Sequence, residues 1–104
     1  MEYNKLVRDK IPEILRSKEL SYEVVCVCGR EYKKRLYSKL VEEIGEYLES
    51  DNFEELADVL EVIDAICFVK GSSLEGLFNI KEAKKNERGG FCEGLVLKSV
   101  EEKK

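Results

Sequence analysis

Ten carboxylates crowd the stretch from Leu40 to Val69, and no lysine or arginine lies among them. The chain has no histidine, so acid–base chemistry must run on carboxylates, lysine, tyrosine, cysteine or metal-bound water. Glu43 and Glu46 are three residues apart and share a helical face, with Glu42 and Glu49 beside them. Glu55, Asp58 and Glu61 repeat that spacing after the turn-forming Ser50-Asp51-Asn52. A short turn makes the two helices antiparallel neighbours, so their acidic faces can oppose each other. Unpaired charges there would cost roughly several kcal/mol for each ion, and the block itself supplies no cation. A hard cation with oxygen ligands would relieve the repulsion. The D-x-[DN]-x-[DN]-G calcium loop is absent. Glu42, Glu49, Asp51 and Glu54 read as solvated positions, whereas Asp58 sits in an apolar run. Spacing and charge thus imply a divalent-metal site in a helical bundle, and no particular reaction.

The elements that must position these residues are mostly helical. Asp9 is placed to cap a short helix with Pro12 in its first turn, running to about Lys18. Ser21 to Cys28 alternates and is rich in Val and Tyr, which predicts a short strand ending at Gly29. A second helix is expected from Glu31 to Glu49, with Leu36, Tyr37, Leu40, Val41, Ile44, Tyr47 and Leu48 at helical spacing. A third runs from Phe53 to Lys70 and stops at Gly71. From Leu56 to Val69 its only polar residues are Asp58, Glu61 and Asp64. Such a helix should be largely buried, which a chain this short cannot achieve alone, so a homodimer or a dimer of dimers is expected. Ser72 and Glu75 form a capping-box pattern that opens a fourth helix to about Glu87. Phe91 to Val100 predicts a second strand able to pair with the first, with Phe91 as a core aromatic.

The 104 residues suit one domain, spanning 1–104. No apolar run nears the roughly 20 residues of a membrane span, and no apolar region follows the first residues as in a secretory signal. A cytoplasmic protein is therefore expected. Cys26, Cys28, Cys67 and Cys92 fit neither a disulfide framework nor paired zinc ligands, and read as reduced, buried thiols. The net charge of −4 combines the acidic block with a remainder of twelve acidic and eighteen basic residues. Scattered positive charge beside an anionic segment argues against nucleic-acid binding.

The pattern E-E-x-x-E, written Glu42-Glu43-Ile44-Gly45-Glu46, precedes E-x-x-D, written Glu55-Leu56-Ala57-Asp58. Together they resemble the MazG-type all-α NTP pyrophosphatase superfamily. The opening Tyr3 to Pro12 and the closing Lys84-x-x-x-Arg88-Gly89-Gly90-Phe91 are similar to its small house-cleaning, phosphoribosyl-ATP pyrophosphohydrolase-like branch. The resemblance implies a four-helix bundle and hydrolysis of nucleoside triphosphates between the α- and β-phosphates. It implies Mg²⁺, with Mn²⁺ as a substitute, on Glu43, Glu46, Glu55 and Asp58. Glu43, or the neighbouring Glu42, would accept the proton of the attacking water. Lys84 and Arg88 would clamp phosphates, with Lys5 and Arg8 as further phosphate contacts. House-cleaning of non-standard or surplus nucleotides is the leading expectation. Phosphoribosyl-ATP hydrolysis and a non-catalytic metal- or nucleotide-binding helical module are the alternatives. Of the ten acids, Asp64 is the weakest candidate for the site.

Overall fold

A computed structural model describes residues 4–102. Among them are four α-helices and no strand, so the chain is mainly α. Its contacts divide it into two units, Met1–Leu74 and Glu75–Lys104.

In the first unit, α1 spans Ile11–Ser17, with Pro12 in the first turn, where its missing N–H costs nothing. The expected Asp9 cap is not made. Lys10 holds the cap position without a side-chain bond, and the Ile11 N–H instead reaches the Arg8 carbonyl at 3.1 Å. The chain leaves α1 through Glu19 at φ 58°, a left-handed residue absent from the sequence expectations.

Helix α2 spans Gly29–Ser50 and α3 spans Glu55–Val69, an antiparallel hairpin. The turn between them is built from its own polar groups. Asp51 adopts φ 55° and donates its N–H to Tyr47 at 2.7 Å, closing α2. The Asn52 side chain then accepts the Glu54 N–H at 3.0 Å as α3 begins. At the far end, Gly71 at φ 76° and the Ser72 N–H on the Cys67 carbonyl terminate α3, the expected glycine stop.

The apolar residues of α2 divide between two faces. Leu36 is 2% exposed and shares the α3-facing side with half-buried Leu40 and Tyr47. Tyr37, Val41, Ile44 and Leu48 form a separate, exposed stripe, with Val41 71% and Leu48 72% accessible. The buried apolar residues of the unit are Leu36, Val62 and Cys67. Helix α3 is therefore not largely buried within one chain: Leu60 is 41% and Phe68 80% exposed. Nor are the four thiols all buried; Cys67 is, while Cys26, Cys28 and Cys92 are exposed, and all are unpaired.

Neither predicted strand forms. Ser21 to Cys28 carries no ladder pairing, and Val25 is 82% exposed. Strand propensity is realised only on a pleated, partnered surface, and neither segment has one. Helix α4, Leu74–Arg88, has no buried residue and from Glu75 on belongs to the second unit. Gly89 at φ 84° ends the helix through its N–H on the Lys85 carbonyl. Phe91 is wholly exposed and is no core aromatic; it opens a turn closed by the Gly94 N–H at 3.3 Å, and Leu95 to Val100 stays unpaired. No helix among the described residues is long and apolar enough to cross a membrane.

Candidate functional site

Glu43 lies seven residues after Leu36, two helical turns along, and so falls on the α3-facing side of α2. It is 8% exposed, the one buried charged residue among those described. Across the hairpin, Glu55 and Asp58 occupy the first turn of α3 and are half-buried. One carboxylate oxygen from each of Glu43, Glu55 and Asp58 lies within 4.8 Å of those from the other two.

The donors suit a hard divalent cation. Two oxygens on opposite sides of Mg²⁺ are separated by about 4.2 Å, a spacing comparable with the limit within which these three oxygens lie. The electrostatics point the same way. Burial, and then a hydrogen bond with the Glu46 carboxyl, holds the Glu43 carboxyl above its ordinary proton affinity. Partial desolvation and the Asp58 carboxyl do the same to Glu55. Carboxylates that resist ionisation beside one another are those a cation would stabilise.

Glu46 lies beside Glu43 but is exposed and does not join the three-way cluster. Glu42 does not join it either. Lys5 and Lys39 each reach Glu42 at 2.9 Å, and their hydrogen bonds hold its carboxyl below the ordinary range. Arg8 Nη2 lies 2.7 Å from Asp58 and its Nη1 3.7 Å from Glu61. Lys5 and Arg8, read from the sequence as phosphate contacts, are thus seated on the acidic block. Lys84 and Arg88 lie exposed on α4, in the second unit.

The acidic block is accordingly not without cations, as its own composition implied. Lys39 reaches Glu43 at 3.3 Å as well as Glu42. It lies just outside the block, and its i,i+3 and i,i+4 spacing to the two glutamates was the signal available in the sequence. Arg8 and Lys5 approach from 50 and 37 residues away, which no local spacing encodes. Together, the segment before α1 and the hairpin enclose a cleft of about 390 Å³. Arg8, Tyr32, Lys39, Glu43, Asp58 and Glu61 line it, a size within the range of small-ligand sites.

Comparison of the chain with protein-family models, with curated proteins and with solved structures yields no match.

Proposed function

We propose that this chain is a Mg²⁺-dependent nucleoside triphosphate pyrophosphohydrolase, cleaving between the α- and β-phosphates to release a monophosphate and pyrophosphate. The observation that carries the reading is the convergence of Glu43, Glu55 and Asp58 across the α2–α3 hairpin. The acidic motifs that resemble the MazG-type superfamily are its second support. Mn²⁺ would substitute for Mg²⁺, and non-standard or surplus nucleotides are the substrate class proposed.

Glu43, Glu55 and Asp58 would hold the metal, with Glu46 available from beside Glu43. When bound, the metal would offset phosphate charge and supply an activated water. Glu43 is the better placed of the two candidate bases, because burial favours the protonated form of its carboxyl. Glu42, stabilised as an anion by two lysines, holds a proton poorly. Arg8 and Lys39, lining the same cleft, would orient the phosphates.

Assembly is part of the proposal. The exposed stripe Tyr37, Val41, Ile44 and Leu48 on α2 fits a homodimer, in which two hairpins would complete a four-helix bundle; a dimer of dimers is the larger form.

Pyrophosphate release from a panel of canonical and modified nucleotides, with and without Mg²⁺, tests the activity. Turnover is expected with Mg²⁺ and is expected to fall on the order of 10²-fold or more in Asp58→Ala. No turnover of any nucleotide, or undiminished turnover in the variant, rejects the reading.

The ion pairs of Lys5, Arg8 and Lys39 favour a second reading, a non-catalytic helical module whose acidic face is neutralised by its own chain. That reading expects no Mg²⁺ binding at millimolar concentration.

A further inference from the structure

A second cleft, about 590 Å³, lies between the segment before α1 and the N-terminal half of α2. Lys5, Arg30, Lys34, Arg35 and Lys39 line it, against only Glu31 and Glu42, leaving an excess of three positive charges. Arg30 with Lys34, and Arg35 with Lys39, are like-charged i,i+4 pairs on one helix, an arrangement that destabilises the helix unless an anion offsets it. Arg35 is fixed by the Asn4 carbonyl at 2.8 Å and by Glu31 at 3.2 Å. Arg30 and Lys34 have no carboxylate partner among the described residues. The basic and acidic clefts share Leu6 and Lys39 as lining residues, and therefore adjoin.

We propose that this basic cleft is a phosphoanion site that receives the pyrophosphate end of the nucleotide. The nucleotide part of the proposal rests on the hydrolase reading above. With the reacting phosphate at the carboxylates, Lys39 stands at the junction through which the remaining phosphates pass.

Pyrophosphate binding is measured by calorimetry in EDTA, so that no metal bridges the anion to the carboxylates. The wild type is compared with Arg30→Ala/Lys34→Ala, a variant that orphans no carboxylate partner, and with Arg30→Lys. Binding at least tenfold weaker in the double variant, with a melting temperature no lower than wild type and near-complete retention in Arg30→Lys, is expected. Equal binding in wild type and double variant overturns the site. In turnover assays, the double variant should raise KM for the triphosphate and weaken product inhibition by pyrophosphate, with inhibition by the monophosphate unchanged. If pyrophosphate binding falls while KM and product inhibition stay fixed, the anion is independent of the substrate and the assignment to its tail is overturned. Cleft-dependent pyrophosphate binding without any turnover rejects the hydrolase reading alone and upholds the phosphoanion site.

Discussion

Arg8 holds Asp58 at 2.7 Å across a sequence separation of 50 residues, so a guanidinium occupies one of the three carboxylates of the proposed metal site. Both side chains are substantially solvent-exposed, and exchange of one cation for another at Asp58 is therefore inexpensive. A partly exposed pair contributes about 0.2–1 kcal/mol. Arg8→Met should accordingly bind Mg²⁺ about 1.4- to fivefold more tightly than the wild type, while melting at a lower temperature without metal. Calorimetric titration with MgCl₂ decides it: unchanged or weaker binding would mean that Arg8 supports the site instead of competing for it.

Glu43 sets a pH dependence whose sign follows from its environment. Its folded-state proton affinity is raised from the ordinary 4.5, so between that pH and the folded value the native chain binds more protons than the unfolded one. Stability from this group is full below about 4.5 and is lost as pH rises through the folded value. Glu42, whose carboxyl is shifted downward, acts below that window, where its stabilisation is lost on acidification. In EDTA, Glu43→Gln should therefore gain melting temperature relative to wild type between pH 4.5 and 7. Scanning calorimetry that finds a constant difference over this range refutes the buried carboxylate as its source.

The outer stripe of α2 predicts self-association. Placing a charge at Val41 and Leu48, which are 71% and 72% exposed in the single chain, should leave the hairpin core intact and split the dimer. Light scattering should give a dimer or tetramer for the wild type and a monomer for Val41→Glu/Leu48→Glu. A monomeric wild type would be fatal to this expectation.

Asp51 closes α2 in the left-handed region, at φ 55° and ψ 26°. Glycine has no Cβ penalty there, but adds entropy to the unfolded chain. Asp51→Gly should thus unfold in urea near the wild-type midpoint, whereas Asp51→Val should lose about 1–2 kcal/mol. Equal midpoints for the two variants would show that the turn tolerates any backbone.

Much of this architecture was legible in the residues. The hairpin, its turn and the Gly71 stop rest on local chemistry (capping, helical period, left-handed closure), and the helices α2 and α3 lie within about two residues of their expected ends. The opposition of Glu43 to Glu55 and Asp58 follows from that hairpin. What was not legible is long-range or relational. The apolar residues of α2 share one period, yet only packing distinguishes the inner Leu36 from the outer Val41. Arg8 on Asp58 requires the chain start to fold back over residues it has no local reason to meet. The Val-rich Ser21 to Cys28 segment has strand chemistry, but pairing needs a neighbour that its own residues cannot provide.

The distance along the chain between Arg8 and Asp58 also orders events in time. The α2–α3 hairpin closes through a short turn, while the pairs Lys5–Glu42 and Arg8–Asp58 must close loops spanning 37 and 50 residues. Local closure comes first, so the two helices meet before Lys5 and Arg8 have arrived. Ionic strength should then raise both arms of a chevron plot. Salt screens the carboxylates at the barrier and speeds refolding, and it loosens the completed ion pairs and speeds unfolding.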